Sequence, residues 1–266
     1  MALWLQMFIL ATVQGLTEFL PVSSSGHLVL AKAALGFQAM SGLGVELLLH
    51  GGTLLAVLVY YRALIGEVLL GLWRREAAAW RFALAVFLSM IPAALLGLLC
   101  EETFERLAES PAFVCGALLF TGLLLLSTRR FGRDLGREVS PGAGLLMGVA
   151  QAVAMLPGIS RSGSTLAMAR FLGIEPKKAA AFSFLMVVPV ILAGNALHLA
   201  KALAAEENAF AGLPVGVGLF GFVTAAGVGY LSVAWMVRLL GNRTFWRFGF
   251  YCLGLGGAGA LFLMLR

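Results

Sequence analysis

The sequence predicts an all-α polytopic membrane protein: six transmembrane helices plus two re-entrant helical hairpins in an inverted-topology repeat. Three observations predict this class, namely the composition, an echoed polar motif and the placement of basic residues. Of the 266 residues, 61% are hydrophobic and 12% are charged, and the mean hydropathy is +0.95. Soluble domains carry about 25% charged residues. We therefore expect a single integral membrane domain over residues 1–266.

Two polar stretches inside apolar segments read almost alike. Each runs Gln, an apolar stretch, Leu-Pro and then Ser-x-Ser-Gly; the first occupies 14–27 and the second 151–165. The first copy carries Glu18 and His27, whereas the second carries Arg161. A duplicated, helix-breaking polar loop among apolar segments is typical of a membrane-embedded site at a repeat interface.

The elements follow from apolar run lengths, since about 20 residues span a bilayer. Spanning runs lie near 44–61, 82–99, 112–128, 179–200, 213–237 and 248–265. Regions 1–35 and 142–172 each have an apolar arm, a Pro/Ser/Gly break and a shorter arm, so we predict re-entrant hairpins there. Residues 1–10 lack the basic region and cleavage pattern of a signal peptide and are expected to open the first hairpin. Cys100, Cys115 and Cys252 have no metal-type spacing, and apolar packing is favoured over pairing.

The loops divide sharply by charge. One set holds 14 of the 19 basic residues: Arg62, Arg74, Arg75, Arg81, Arg129, Arg130, Arg133, Arg137, Arg170, Lys177, Lys178, Arg238, Arg243 and Arg247. The other set holds Lys32, Arg106, Lys201 and Arg266 beside Glu101, Glu102, Glu105, Glu109, Glu206 and Glu207. The positive-inside rule assigns the first set to the cytoplasm. The basic excess thus follows topology and indicates no nucleic-acid partner.

This orientation makes the two halves, approximately 1–137 and 138–266, opposite in sense. The first hairpin enters and leaves on the outer side and three spans follow. The second hairpin enters and leaves on the inner side and three spans follow. An inverted repeat explains the echoed motif and the loop charges together.

Ionisable groups inside membrane segments cost roughly 2.5–3.5 kcal/mol each on insertion scales. Such groups are functional candidates by default, and here they are Glu18, His27, Glu46 and Arg161. The alternative to a functional role is a Glu–Arg pair that only joins the two hairpins. Gln14 shares a helix face with Glu18, as His50 does with Glu46, so two polar faces predict one wet cavity. For Gln14 and His50, structural hydrogen bonding competes with a site role.

The two serine loops suit anions. Backbone N–H groups at a helix N-terminus converge on phosphate oxygens, hydroxyls add donors, and Arg161 can grip two oxygens at once. Glu18 is a candidate base or a ligand for a divalent cation held against a pyrophosphate. Ser24 or His27 is the candidate nucleophile at phosphorus. This set describes phosphoryl transfer to water, through a covalent intermediate or by direct attack.

With these residues in hand, the chain resembles the undecaprenyl-pyrophosphate phosphatase (bacitracin-resistance) family of bacterial membrane enzymes, essentially over its whole length. The family's first motif, Glu/Gln-x-x-x-Glu then Pro-x-Ser-Ser-(Ser/Thr)-Gly-His, matches Gln14, Glu18, Pro21, Ser23, Ser24, Ser25, Gly26 and His27. Its second motif, Pro-Gly-x-Ser-Arg-Ser-Gly-x-Thr, matches Pro157, Gly158, Ser160, Arg161, Ser162, Gly163 and Thr165.

The resemblance implies hydrolysis of undecaprenyl pyrophosphate to the monophosphate carrier lipid and phosphate, which recycles the carrier for cell-wall synthesis. It also implies a magnesium or calcium ion and a site open to the outer face of the bacterial inner membrane. Glu18, Ser24, His27 and Arg161 become catalytic, and the substrate-binding set becomes Gln14, Ser23, Ser25, Glu46, Ser160, Ser162 and Thr165. Gln14 takes the family's Gln option, so a second carboxylate one turn before Glu18 is missing.

The competing function is a transporter or flippase for an anionic lipid or solute, because inverted repeats with broken elements are typical of alternating access. A purely structural scaffold is the third reading, and the buried charges speak against it. The expected partners are the lipid substrate and membrane lipids. The Gly-rich segments near 212–229 and 253–259 allow a homodimer, although such glycines more often pack within one chain.

Overall fold

The computed structural model describes residues 2–35, 43–204, 210–242 and 244–265. Within them the chain forms twelve α-helices and a short 3-10 helix at Phe245–Arg247. The helices α1 to α12 run Leu3–Thr17, Ser24–Leu35, Leu43–Tyr60, Arg62–Trp73, Ala77–Ala108, Pro111–Phe131, Pro141–Val153, Arg161–Phe171, Pro176–Leu185, Val187–Ala204, Val215–Gly241 and Phe248–Met264. Across these ranges the β-type pairing is one isolated bridge, Arg137 to Ile174. The predicted all-α class is confirmed.

Some charges used in the orientation argument fall outside this description. Glu206, Glu207, Arg243 and Arg266 lie outside the described residues, and so do the side chains of Lys32, Glu101 and Glu105. The other loop charges stand on described residues.

Five helical segments in the described ranges are long and apolar enough to cross a membrane: Ala77–Cys100, Pro111–Phe131, Pro176–Ala204, Val215–Gly241 and Phe245–Met264. A sixth arises if Gly44–Tyr60 and Arg62–Trp73, which bend by 71°, count as one broken span. These segments overlap the six predicted runs. The chain is thus a multi-pass helical protein.

The helix α4 is an element that the sequence analysis treated as a loop. It begins directly after Tyr61, whose backbone leaves the helical region. Its sequence is largely apolar, and Leu69 and Trp73 are 62% and 86% exposed. Arg62 led us to place a loop here, but a single arginine does not prevent the next helix from starting. The chain instead turns and runs on as a second apolar helix against α5.

Two helix pairs hold the short helices α1 and α7 against the opposite half of the chain. Helix α1 packs on α11, and α7 packs on α5. Both contacts depend on glycine: a Cβ added at Gly15 would lie 3.0 Å from the Ala225 carbonyl oxygen. One added at Gly148 would lie 2.4 Å from the Ser89 carbonyl oxygen. The short helices are therefore anchored by backbone-to-backbone approach.

The outer surface is rich in large apolar side chains, as expected for a protein surrounded by lipid. On α5, Phe87 and Leu98 are 61% and 72% exposed, and on α11 Leu231 is 68% exposed. Cys100, Cys115 and Cys252 are free thiols here, and Cys115 and Cys252 are buried.

Candidate active site

The first break separates α1 from α2 at residues 18–23. Pro21 lacks the N–H that a continuing helix requires. Ser23 adopts a left-handed backbone (φ 68°) that is rare for a residue with a side chain. Its own contacts hold it there: the Ser23 Oγ accepts from the Gly26 N–H at 3.3 Å, and its carbonyl accepts from the His27 N–H at 3.2 Å. The chain thus restarts as a helix at Ser24.

The second break separates α7 from α8 at residues 154–160. Gly158 has φ 93°, and a Cβ there would lie 2.7 Å from the Val114 carbonyl oxygen, so glycine is required. Ser160 caps α8, because its Oγ accepts from the Gly163 N–H at 3.1 Å. Arg161 therefore occupies the first position of α8.

The two breaks touch each other inside the protein. The Ser162 Oγ donates to the Leu20 carbonyl at 2.9 Å, and the Gly158 N–H approaches the Ser25 Oγ at 3.5 Å. A Cβ on Gly26 would lie 3.4 Å from the Gly158 Cα. The echoed motifs, 137 residues apart in sequence, thus form one structure with the N-termini of α2 and α8 beside each other.

Glu18 lies at the centre of this structure. It is 7% exposed, and one carboxylate oxygen forms an ion pair with the Arg161 guanidinium. The other oxygen accepts from the Ser24 Oγ at 2.6 Å and from the Gln14 Nε2 at 3.0 Å. The expected meeting of acid and guanidinium across the two halves is observed. Three donors from three different elements converge on one buried carboxylate.

The hydrogen bonds of His27 fix its tautomer. Its Nδ1 lies 2.8 Å from the Ser23 carbonyl, which can only accept, so Nδ1 carries the proton. In the neutral ring Nε2 is then an acceptor, and it accepts from the Tyr251 hydroxyl at 2.8 Å. The Ser24 hydroxyl bonds to Glu18, and both ring nitrogens of His27 have other partners.

Three predicted substrate contacts are buried and bonded to protein atoms. Ser160 and Ser162 are 1% and 2% exposed, and their hydroxyls lie 3.2 Å apart. The Thr165 Oγ1 is fully buried and lies 2.6 Å from the Ser183 Oγ. In the first loop the buried Ser23 Oγ lies 3.2 Å from the Oγ of the exposed Ser25. Contact with substrate stays a prediction for all five residues.

Glu46 and His50 lie on α3 and are both half-buried. The His50 Nδ1 lies 3.0 Å from the Glu46 carbonyl, and the imidazole interacts electrostatically with Glu18. The wet cavity predicted between the two polar faces stays a prediction. The role of Glu46 as a substrate contact stays a prediction.

Two residues that shape the site were not predicted from the sequence. Tyr251, on α12, holds His27 as described above. Thr121, on α6, is fully buried; its Oγ1 donates to the Gly158 carbonyl at 3.1 Å and accepts from the Ser160 N–H at 3.1 Å. A lone hydroxyl in an apolar span was a weak signal for Thr121. The sequence held no signal for Tyr251, because tyrosines are common near membrane interfaces.

The described side chains at the site suit a divalent cation only if a bound phosphate supplies its other ligands. The described residues contain no cluster of three His, Cys, Asp or Glu side chains able to enclose a metal. Where the two breaks meet, the Glu18 carboxylate bonds directly to the residue that follows each break, and it is already paired with Arg161. Magnesium is commonly held by one or two carboxylates plus substrate phosphates, which matches this donor set.

Chemically, the arrangement is an anion site with a built-in base. The first N–H groups of α2 and α8 have no intrahelical partners, and both helix N-termini favour negative charge. Arg161 adds a permanent positive charge with planar geometry suited to phosphate. These features define the class: a polytopic helical membrane protein in which two broken helices meet around a buried carboxylate–guanidinium pair.

Comparison with known proteins agrees with this class. Residues 7–258 match the family described as "Bacitracin resistance protein BacA". A Christiangramia forsetii protein named "Undecaprenyl-diphosphatase" is 39% identical over 260 residues, covering 96% of each chain. A Rubrobacter xylanophilus protein of the same name is 38% identical, and the match covers 98% of each chain. A Salinibacter ruber protein of that name is also 38% identical, and the match covers 96% of this chain and 98% of the relative. The chain belongs to the BacA family.

Proposed function

We propose that this protein hydrolyses undecaprenyl pyrophosphate to undecaprenyl phosphate and inorganic phosphate, which returns the carrier lipid to cell-wall synthesis. One observation carries the proposal: Ser24 donates a short hydrogen bond to a buried carboxylate whose other oxygen is paired with Arg161. Family membership and the shared name of its relatives support the substrate. The family description also associates this family with bacitracin resistance.

The reaction begins with attack by Ser24. As its Oγ bonds to the terminal phosphorus, its proton passes to Glu18 and the bond to the bridging oxygen breaks, releasing undecaprenyl phosphate. The protonated Glu18 passes this proton to the departing undecaprenyl phosphate and becomes a carboxylate again. Water then attacks the phosphoserine and gives a proton to Glu18. Glu18 returns that proton to the Ser24 Oγ as the phosphorus–Oγ bond breaks, and inorganic phosphate leaves. Activation of a hydroxyl by an adjacent base is the usual route to a strong oxygen nucleophile.

Arg161 changes partner during this cycle. Without substrate its guanidinium neutralises Glu18. A pyrophosphate carries more charge than one carboxylate, so it draws the guanidinium to its equatorial oxygens and leaves Glu18 a stronger base. The N-termini of α2 and α8 add N–H donors to the same oxygens.

Ser160 and Ser162 orient the Arg161 side chain, and His27 orients Ser24. The cap at Ser160 and the bond from Ser162 to Leu20 fix the start of α8. The His27 ring bonds to the Ser23 carbonyl, which helps hold the unusual backbone before Ser24. These residues therefore position the two groups that touch the phosphate.

Glu18 would hold a magnesium or calcium ion that arrives with the pyrophosphate, and the bound ion would neutralise phosphate charge. The missing second carboxylate at Gln14 favours an ion that arrives with the substrate.

The membrane arrangement is part of the proposal. The two broken regions, 1–35 and 142–172, are re-entrant hairpins of an inverted repeat. Packing between the halves supports this arrangement, because α1 of the first half packs on α11 of the second and α7 of the second half packs on α5 of the first. The basic loops face the cytoplasm of a bacterial inner membrane, and the site opens to the outer face.

The test is phosphate release from undecaprenyl pyrophosphate by purified protein with magnesium or calcium. Ser24→Ala and Glu18→Gln are expected to lose activity by about a thousandfold, the scale of losing a nucleophile or its base. Ser127→Ala and Glu67→Gln are the matched controls, because Ser127 bonds only within α6 and Glu67 is exposed on α4. Near-normal release by Ser24→Ala would rule out the covalent route; inactivity of the parent protein would rule out the function.

A further inference from the structure

An apolar groove opens onto the membrane beside the site. Its volume is about 450 Å³, and its walls include Leu16, Leu20, Val22, Trp235, Leu239 and Tyr251. Trp235 and Tyr251 are 48% and 49% exposed, so the groove is open sideways to lipid. Apart from Thr17, Thr244 and Arg247, the lining is apolar or aromatic.

Two walls of the groove are formed by residues beside the site. Leu20 and Val22 lie in the break between Glu18 and Ser24, and the Leu20 carbonyl accepts from the Ser162 hydroxyl. Tyr251 forms part of the other wall, and its hydroxyl donates to His27. The groove therefore borders the break that carries Ser24.

Two other apolar cavities lack this connection. One, of about 340 Å³, lies among α3, α4, α5 and the segment that begins at Leu185, and another, of about 260 Å³, lies between α5 and α10. The 260 Å³ cavity is lined by Met155 of the second break, but neither cavity is lined by a residue from 14–27 or 160–165. The groove beside the site differs from both because its wall residue Tyr251 bonds directly to His27.

We propose that this groove binds the isoprene units next to the pyrophosphate, which rests on the proposed function. The chain is unsaturated and apolar, and the groove offers the aromatic rings of Trp235, Phe248 and Tyr251. Trp235 and Phe248 pack edge to face at 6.1 Å and form a rigid wall. The wall is only a few helical turns long. The groove therefore holds only the first isoprene units, and the remaining chain stays in the bilayer.

The test compares three pyrophosphates that share a head group: dimethylallyl, farnesyl and undecaprenyl. Leu239→Trp fills the groove, and Leu239→Ala enlarges it. Both are expected to raise KM for the farnesyl and undecaprenyl compounds about tenfold, equivalent to the loss of roughly two buried methylenes. The kcat and the activity on dimethylallyl pyrophosphate should stay unchanged. Leu231→Trp, on the exposed face of the same helix, is the matched control.

A photoreactive farnesyl pyrophosphate analogue gives a second readout that does not depend on folding of a variant. Labelling of the parent protein within 235–251 is expected, and competition by undecaprenyl pyrophosphate should remove it. Labelling around the α5–α10 cavity instead, or equal KM changes for all three substrates, would overturn the groove assignment. Loss of all activity in the parent protein would count against the function itself.

Discussion

At the residue scale, the site is organised around one carboxylate. Glu18 receives Arg161, Ser24 and Gln14, and its side chain is 5% exposed. A charge so deeply placed in a membrane protein is tolerable only when paired. Pairing with Arg161 therefore makes the buried carboxylate tolerable in the fold, and the roles of the two groups as base and phosphate ligand belong to the proposed mechanism.

Breaking this pair should cost stability as well as activity. Arg161→Met leaves a buried carboxylate without its partner, a loss of about 3–5 kcal/mol, and should lower the thermal midpoint clearly. The double variant Glu18→Gln with Arg161→Met should recover most of that midpoint while remaining inactive. Thermal unfolding in detergent, followed by tryptophan fluorescence, measures the coupling. Additive losses in the double variant would show that the two side chains do not depend on each other.

Tyr251 should affect turnover more than lipid binding. Tyr251→Phe removes the hydrogen bond to His27 but keeps the ring that lines the groove. One hydrogen bond is worth about 0.5–1.5 kcal/mol, so kcat should fall roughly three- to tenfold with KM unchanged. Tyr230→Phe, whose ring packs on Tyr60, is the control. A rise in KM without a change in kcat would assign Tyr251 to the chain and not to His27.

The sequence predicted the meeting of Glu18 and Arg161 because unpaired membrane charges are too costly to leave apart. It could not predict that Ser24 rather than His27 reaches Glu18. That preference depends on the left-handed backbone at Ser23, which turns the histidine toward Tyr251, 224 residues away in sequence. Such long-range contacts leave no local pattern.

At the element scale, two short helices and two breaks bring the reacting groups together. Helix α7 depends on its close approach to α5, because an added methyl at Gly148 would meet the Ser89 backbone. Hydropathy predicted the spans well, since length and apolarity decide them. It missed the 71° turn before α4 because hydropathy carries no information on direction.

Gly148→Ala should destabilise the second half of the site. Overpacking a tight helix contact costs about 1–3 kcal/mol, and the displaced α7 should also lower activity. The control is Gly142→Ala on the same helix, where no described atom lies within 4 Å of the new methyl. Thermal midpoints of the two variants give the comparison. An unchanged midpoint for Gly148→Ala would mean that the two helices separate easily.

At the scale of the whole molecule, the echoed halves meet through their breaks. Gly221 and Gly256 pack against Met7 and Leu118, so these glycines serve contacts within the chain. The predicted preference for intramolecular packing is confirmed at these two positions, and a homodimer stays a prediction. The orientation stays a prediction from the basic residues, and it can be made from sequence because translocation responds to loop charge.

The orientation can be measured by cysteine labelling in a background without the three native cysteines. Arg130→Cys should react with an impermeant maleimide in inverted membrane vesicles only, and Glu109→Cys in spheroplasts only. Glu109 precedes α6 and Arg130 lies in its last turn, so the length of one span separates them. Labelling of both from one side would contradict the proposed topology.

The most direct measurement of the central claim is acid quenching during turnover of undecaprenyl pyrophosphate radiolabelled on its terminal phosphate. Phosphoserine survives acid whereas phosphohistidine does not, so a stable label on the peptide containing Ser24 is the predicted result, absent in Ser24→Ala. Continued turnover by Ser24→Ala, or an acid-labile label on His27, would contradict the account.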